Sequence, residues 1–297
     1  MIRKMERGRV ATIGFFDGVH RGHRFLIDTV RRVAAERGMD SLIVTFAEHP
    51  RSVLQSDYVP ELLTSPEEKT ALLAESGVDR VEMMHFSDQL SRLTAKQFMQ
   101  DVLRAEYDVR VLVMGYDHQF GHGGGTLSQY EAWGAETGIE IIKAEAMPDT
   151  YVSSSECRRL LGEGDVDGAA SLLGHPYVLR GRVVPGHHVG HELGFPTANL
   201  QPHRHKLIPC RGVYAVYAVL DDGHTFKGML NIGERPTIDN STNVTIEVNL
   251  IDFDGNIYGR DVTLRFVSYI RKEARFSSRQ ELVDQIRRDR ARVLSLL

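Results

Sequence analysis

The sequence has little of what marks several large classes of protein. Two cysteines in 297 residues, Cys157 and Cys210, exclude a disulfide framework and a cysteine-based metal site. No apolar run approaches the length of a membrane span. Lysine and arginine (36) nearly balance aspartate and glutamate (40), so the net charge of −4 does not favour nucleic acid or an anionic membrane as a partner. The opening residues lack a signal-peptide core, and we expect a cytoplasmic protein.

The length and composition are those of an ordinary globular protein with two domains. Hydrophobic residues make up 42% and charged residues 26% of the chain. No internal repeat or low-complexity tract is present, so we expect two unrelated folds. We place the first domain at residues 1–155, a helical connector at 156–174 and the second domain at 175–297.

The first domain alternates strands and helices. Short β-rich runs are separated by helices whose starts carry capping patterns, at Ser65–Glu68, Thr94–Gln97 and Ser128–Glu131. The runs are 10–13, 41–46, 78–84, 109–115 and 139–143. This alternation predicts a Rossmann-like α/β domain, a parallel sheet with helices on both faces and ligands at the carboxyl ends of its strands.

The second domain repeats short strands without helices between them. The strands are expected at 177–184, 212–220, 225–231, 243–252 and 262–270, and Ser278–Glu281 then caps a terminal helix. Regular short strands separated by turns predict a small antiparallel β-barrel.

The stretch at residues 10–23 organises the first domain. A buried strand ends at Gly14, a tight turn follows, and a helix begins near His20 and stops at Gly38. His20 and His23 then lie three residues apart at a helix N-terminus, whose free N–H groups and positive dipole end suit a phosphate. The alternative is a pair of solvated histidines on a surface turn. We favour phosphate chemistry because the motif sits in a strand–turn–helix context.

Two further segments of the first half carry candidate ligands. His49 and the glycine-rich loop 115–125 follow predicted strands, at the sheet edge where ligands bind. Ser153 and Glu156 form a capping pattern, which places Ser154 at a helix N-terminus and Arg158 one turn further along. Capping alone also explains these serines.

These segments resemble a known family. His-Arg-Gly-His at 20–23 resembles the His-x-Gly-His signature of nucleotidyltransferases. Its longer form, Gly-Phe-Phe-Asp-Gly-Val-His-Arg-Gly-His at 14–23, is similar to the bacterial bifunctional riboflavin kinase/FAD synthetase family. The resemblance implies that His20 and His23 are catalytic. It implies nucleotide or flavin contacts for Gly14, Phe15, Asp17, His49, Asp117, Ser154 and Arg158.

The second half holds another motif in residues 186–199. We expect its glycines to make a flexible loop, and Thr197 and Asn199 supply oxygen atoms suited to Mg²⁺. Gly-Phe-Pro-Thr-Ala-Asn at 194–199 closely resembles the riboflavin kinase signature. By the same resemblance Glu247 is the catalytic base, and nucleotide or flavin contacts fall on Gly190, His191, Gly194 and Arg271. A metal cluster of His187, His188 and His191 lacks partner ligands at the usual spacing.

The chain departs from the family pattern at three places. His191 stands where arginine is usual and Asn249 where histidine is usual. Glycines 123–125 replace a segment that usually carries a basic residue. An imidazole in place of a guanidinium makes phosphate contact weaker and pH-dependent.

The resemblance implies two ATP-dependent steps with Mg²⁺ and without a tightly bound organic cofactor. Riboflavin is phosphorylated to FMN, and FMN is then adenylylated to FAD with release of pyrophosphate. The alternatives are an adenylyltransferase whose kinase step is weak or lost, a nucleotidyltransferase with another acceptor, and a non-catalytic flavin-binding regulator. Riboflavin, FMN, FAD and ATP are the expected partners, and the oligomeric state stays open.

Overall fold

The chain folds into two compact units. The computed structural model describes residues 8–55, 57–115, 120–145, 147, 151–186, 194–236 and 242–297. The first unit is the chain up to Pro60 together with Pro66–Val152, and the second combines Glu61–Ser65 with Ser153–Leu297. Each unit is described by itself below.

The first unit is built on a five-stranded parallel sheet. Its strands are β1 (Arg9–Ile13), β2 (Asp40–Phe46), β3 (Arg80–Met84), β4 (Val109–Met114) and β5 (Glu140–Lys143). Their order is β3-β2-β1-β4-β5, and every neighbouring pair is parallel. The helices are α1 (Arg21–Arg37), α2 (Pro50–Leu54), α3 (Pro66–Ala74), α4 (Asp88–Ser91), α5 (Ala95–Gln97), which continues as a π-helical turn (Phe98–Arg104), and α6 (Leu127–Thr137). The predicted α/β fold is confirmed.

Local capping explains where these helices begin. The capping box Thr94–Gln97 opens α5 as expected. The box predicted at Ser128 is wrong, because Thr126 is the extended residue that caps α6 and Gln129 bonds back to its backbone. Ser128 already lies inside the first turn of α6 and is therefore not the residue that caps it.

Both faces of the parallel sheet are buried. Ala11 and Ile13 of β1 belong to the cluster on one face, while Val10 packs with Val30 and Val33 of α1 on the other. In β2 every residue from Ser41 to Phe46 is buried. Continuous burial of this kind is typical of a parallel sheet covered by helices, and it leaves the strand ends as the accessible edge.

The second unit is a closed antiparallel barrel flanked by helices. Its strands are β6 (Val178–Val184), β7 (Ala198–Pro202), β8 (Gly212–Leu220), β9 (Thr225–Pro236), β10 (Thr242–Leu250) and β11 (Asp261–Arg271), closed in the order β10-β7-β6-β11-β8-β9. Its helices are α7 (Ser154–Glu163), α8 (Val166–Leu173) and α9 (Arg279–Leu296). None of the helices in the described ranges is long and apolar enough to cross a membrane.

The predicted barrel is confirmed, but β7 was not expected. The sequence predicts no strand here, and Ala198–Pro202 has no β-branched residue and ends in proline. Backbone pairing to β6 on one side and to β10 on the other makes it a strand. The structure therefore holds Asn199 within the barrel wall.

A short segment of the first half belongs to the second unit. Leu62 N–H donates to the His205 carbonyl at 2.7 Å, and Leu207 N–H donates to the Leu62 carbonyl at 2.8 Å. Leu63 is only 1% exposed and packs in the hydrophobic core of the barrel. The buried Lys206 donates from Nζ to the Leu63 carbonyl at 2.5 Å. The segment Glu61–Ser65 is thus held by both main-chain and side-chain contacts.

Two exposed glycines offer a test of the helix boundaries. Gly38 ends α1 with φ of +63° in open space, whereas Gly162 lies inside α7 with nothing near its Cα hydrogens. We expect Gly38→Ala to lower the free energy of unfolding by about 1 kcal/mol, because an L side chain is strained at that φ. Gly162→Ala should raise it by about 0.5–1 kcal/mol through helix propensity. Urea denaturation followed by circular dichroism measures both changes. Changes in the free energy of unfolding with the same sign in the two variants would contradict these helix boundaries.

Candidate active sites

The turn between β1 and α1 brings the two histidines together. His20 is in extended conformation and caps α1, accepting the His23 N–H on its Nδ1 at 3.2 Å. The two imidazole rings stack with centroids 3.6 Å apart and planes 13° apart. The prediction that both lie on the same side of the first turn is confirmed. Because the Nδ1 of His20 accepts, its neutral form carries a proton on Nε2.

The backbone of this turn is strained and buried. Phe16 and Val19 have φ of +54° and +41°, in the left-handed region that is uncommon for residues other than glycine. Both side chains are at most 3% exposed. Packing therefore holds the turn in this conformation, which is a common feature of functional sites.

A buried lysine that we did not single out from sequence lies beneath the turn. Lys69 of α3 is 1% exposed, and its Nζ donates to the carbonyls of Phe15 at 3.1 Å and Phe46 at 2.5 Å. Burial lowers the pKa of Lys69 to about 8, against the opposing effect of the Asp17 and Glu48 carboxylates. Lys69 lies three and four residues before Leu72 and Leu73, and this helical spacing places it on the buried face of α3. That spacing was the signal in the sequence that could have identified it.

An aromatic cavity opens beside the same strand ends. It has a volume of about 400 Å³. Its aromatic lining consists of Phe15, Phe46, His49, Phe86, Phe98, Phe120 and His122. His49 caps α2 by accepting the Arg51 N–H at 3.1 Å, and its ring meets the Phe15 ring edge-on at 4.6 Å. The structure thus brings Gly14, Phe15 and His49, three predicted site residues, to one cavity wall.

The remaining predicted residues of the first site are distributed differently. Asp17 is 4% exposed and lies in the β1–α1 turn. Asp117 is outside the described residues. Ser153 caps α7 as expected, but the Glu156 carboxylate accepts from Arg159. Ser154 and Arg158 belong to the second unit, where Arg158 donates from Nε to the Glu61 carbonyl at 2.7 Å.

In the second unit, three oxygen-bearing residues meet on neighbouring strands. Glu247 of β10 lies directly opposite Asn199 of β7, and Thr197 Oγ1 donates to Glu247 Oε2 at 3.4 Å. Ile246 and Val248 are 4% and 0% exposed, so alternation turns Glu247 to the other face, as predicted. The sequence motif at 194–199 and the strand at 243–252 therefore form one site.

A hydrogen bond to the preceding residue, Pro196, holds the segment that carries Thr197. Asn249, which stands where the family usually has histidine, is 5% exposed and donates from Nδ2 to the Pro196 carbonyl at 2.7 Å. Gly186 approaches Asn199 so closely that an added Cβ would lie 2.0 Å from its Nδ2. Any larger residue at 186 would displace the Asn199 amide.

Two cavities flank this cluster. One, of about 360 Å³, is lined by Thr197 together with the turn between β10 and β11. The other, of about 540 Å³, is lined by Gly194, Phe195 and Asn249 and by Arg287 and Arg290 of α9. Gly190 and His191, like His187 and His188, are outside the described residues. Within the described ranges no group of three or more His, Cys, Asp or Glu side chains could hold a metal ion.

Arg271 attaches the terminal helix to the barrel. Its guanidinium donates from Nε and Nη2 to Asp289 of α9, the closest contact being 2.7 Å, and from Nη1 to the Lys272 carbonyl. Asp289 is 3% exposed and also accepts from Gln285 at 2.8 Å. The predicted contact of Arg271 with a nucleotide or flavin stays a prediction.

Comparisons with known proteins agree on both halves of the chain. A family model described as FAD synthetase matches residues 2–156, and one described as riboflavin kinase matches residues 173–297. The bifunctional riboflavin kinase/FMN adenylyltransferase of Escherichia coli K12 is 37% identical over 287 residues, covering 96% of this chain and 91% of that protein. Its counterpart in Bacillus subtilis is 34% identical over 295 residues, covering 98% and 93%.

One solved structure matches almost the whole chain. A crystal structure described as a macrolide-efflux protein from Streptococcus pneumoniae has a TM-score of 0.84 at 30% identity, and the match covers 96% of this chain and 93% of that one. That description applies to the pneumococcal protein, and the similarity to this chain lies in sequence and fold.

The buried ion pair at α9 can be tested directly. We expect Asp289→Asn to destabilise the second unit by about 3 kcal/mol, because it leaves the Arg271 charge without its partner. Asp284→Asn is the matched control, since Asp284 forms an exposed pair with Arg287 on the same helix and should change stability by less than about 0.5 kcal/mol. Hydrogen exchange of the α9 amides reports the difference, and equal protection in the two variants would refute the docking role.

Proposed function

The chain belongs to the family of bifunctional riboflavin kinases/FMN adenylyltransferases, and on that premise we propose that its two reactions occur at separate sites, one in each unit. It uses ATP to phosphorylate riboflavin to FMN and to adenylylate FMN to FAD. We assign adenylyl transfer to residues 1–155, phosphorylation to 175–297 and the connector to 156–174. The observation that carries the proposal is that Thr197, just before β7, lies with Asn199 of β7 beside Glu247 of β10. These residues are far in sequence from the stacked histidines at the start of α1.

In the kinase step Glu247 acts as the general base. Its carboxylate, on the outer face of β10, accepts the proton of the riboflavin hydroxyl as that oxygen attacks the γ-phosphorus of ATP, and ADP leaves as the bond to the bridging oxygen breaks. The oxygen atoms of Thr197 and Asn199 beside it are of the kind that Mg²⁺ prefers, and the contact between Thr197 and Glu247 fits such a site. Bound there, Mg²⁺ would neutralise charge on the ATP phosphates.

The two flanking cavities give room for substrates on either side of this cluster. Thr197 lines one and Gly194 the other, so a nucleotide and a flavin bound in them would approach the same motif. We assign nucleotide or flavin contacts here to Gly190, His191 and Gly194, and a supporting one to Arg271. His191 would make ATP binding weaken as the pH rises through its titration.

The adenylyltransferase step needs alignment and charge stabilisation, because the FMN phosphate is itself the nucleophile. It attacks the α-phosphorus of ATP and pyrophosphate leaves. His20 and His23 donate hydrogen bonds to the charge that develops on these phosphates, next to the positive end of α1. Supporting nucleotide contacts are assigned to Gly14, Asp17 and Asp117 of the first unit. The contacts that the sequence predicts for Ser154 and Arg158 stay predictions, because both residues belong to the second unit.

The aromatic cavity is assigned to the isoalloxazine ring of FMN. A volume of about 400 Å³ lined mainly by phenylalanine rings suits a flat, largely apolar ring system. His49 and Phe15 lie on its wall, at the carboxyl ends of β2 and β1. We place both reactions in the cytoplasm, where ATP is available and where the two free cysteines stay reduced.

The division of labour is tested at His23. His23→Ala should abolish FAD formation while FMN still accumulates from riboflavin and ATP, because phosphorylation belongs to the other unit. Chromatography of the flavins measures both products in one reaction. His85→Ala, in the same unit, is the control, since its side chain is 85% exposed and bonds only to Glu48 in the described contacts. Equal loss of FMN and FAD formation in a folded His23→Ala protein would contradict the assignment of the two reactions to separate units.

The kinase base is tested at Glu247. Glu247→Gln should slow riboflavin phosphorylation by a factor of about 10² to 10⁴, the usual span for a lost general base. FMN supplied to the same variant should be adenylylated at the wild-type rate. Kinase turnover close to that of the wild type would remove Glu247 from the mechanism.

A further inference from the structure

The mechanism proposed above gives no role to Lys69, a buried charged residue of the first unit. Its side chain is among the largest fully buried ones, and its Nζ donates to the Phe15 carbonyl at 3.1 Å. Its Nζ lies 3.8 Å from the centroid of the Phe15 ring. The ammonium group therefore contacts the ring of a residue that also lines the aromatic cavity.

The hydrogen bonds of Lys69 connect β1 and β2 two residues beyond the point where these two strands stop pairing with each other. The Phe15 carbonyl, two residues past the end of β1, also accepts from Thr45 Oγ1 at 3.1 Å. The Phe46 carbonyl is at the last residue of β2. Since Phe15 and Phe46 both line the cavity, one side chain fixes two of its walls.

The buried charge of Lys69 carries a cost in stability. Burial disfavours the ammonium, and the lowered pKa of Lys69, about 8, means that the protein binds this proton less well than the unfolded chain does. The unfolded chain therefore gains protons relative to the folded protein between about pH 8 and 10.5, and the charge costs stability below that range. An apolar side chain of the same length would avoid this cost.

We propose that Lys69 is a positioning residue for FMN adenylylation, holding Phe15 and Phe46 so that the aromatic cavity accepts the flavin ring. It acts through these two residues rather than on the reacting phosphates. The inference rests on the proposed function in one respect, the assignment of this cavity to the flavin.

The experiment compares three variants. Lys69→Met removes the ammonium and keeps the length of the side chain. Lys96→Met is the matched control, since Lys96 is an exposed lysine of the same unit paired with Glu136. Phe86→Ala removes a cavity wall that packs on Phe46 and tests the flavin assignment independently. For each variant we would measure KM for FMN, KM for ATP and kcat of adenylylation, riboflavin kinase activity and the thermal unfolding midpoint.

For Lys69→Met we expect KM for FMN to rise by about 10-fold, because misplaced walls weaken binding of the flavin before chemistry. Its KM for ATP, its kinase activity and its unfolding midpoint should match those of Lys96→Met. The difference between the two KM values separates positioning from a general structural role, because a structural defect would lower the unfolding midpoint and impair the use of FMN and ATP alike.

Three results would overturn the inference, and they are distinguishable. If Phe86→Ala raises KM for FMN and Lys69→Met does not, the cavity holds the flavin but Lys69 does not position it. If neither variant changes KM for FMN, the flavin assignment fails and the inference fails with it. A fall in kcat and unfolding midpoint without a change in KM for FMN also overturns it, since Lys69 is then structural.

Discussion

The backbone that connects β1 to α1 is the constraint on which the first unit depends. It turns left-handed at Phe16 and Val19, and only buried packing keeps it there. The Phe15 carbonyl at the start of the turn receives hydrogen bonds from Thr45 and Lys69. Because the turn ends at His20 in extended conformation, this residue caps α1, and its ring stacks on that of His23. The paired imidazoles are thus a consequence of how the strand leaves the sheet.

The second unit reaches a comparable result with β-structure alone. Alternation along β10 buries Ile246 and Val248 and leaves Glu247 on the opposite face. Pairing with β7 then sets Glu247 beside Asn199, and the Asn249 amide holds the Pro196 carbonyl next to Thr197. Asn249 therefore has a structural role in this chain although it departs from the family pattern. The parallel sheet places its polar site residues beyond the ends of its strands. The closed barrel places them on the face of a strand that points away from its core.

Sequence reasoning succeeded where the signal is local. The strand–helix alternation, the outer face of Glu247 and the helix start at His20 follow from periodicity and capping, which involve residues close in the chain. It failed for β7, whose five residues are a strand only because β6 and β10 pair with them. Lys69 and the segment Glu61–Ser65 were missed for the same reason, since their partners lie 23 to 145 residues away. Thr126–Gln129 and Ser128–Glu131 both have the spacing of a capping box, and only the backbone conformation identifies Thr126 as the cap.

The central claim is that two complete sites work independently in one chain, and a mixing experiment tests it most directly. His23→Ala protein, which cannot adenylylate FMN, and Glu247→Gln protein, which phosphorylates riboflavin slowly, would be combined with riboflavin, ATP and Mg²⁺. We predict that the mixture forms FAD much faster than either protein alone, because FMN made by the first protein is adenylylated by the second after passing through solution. The rate should increase with the concentration of either protein. FAD formation no faster than that of Glu247→Gln alone, while each protein retains its own partial reaction, would contradict the account.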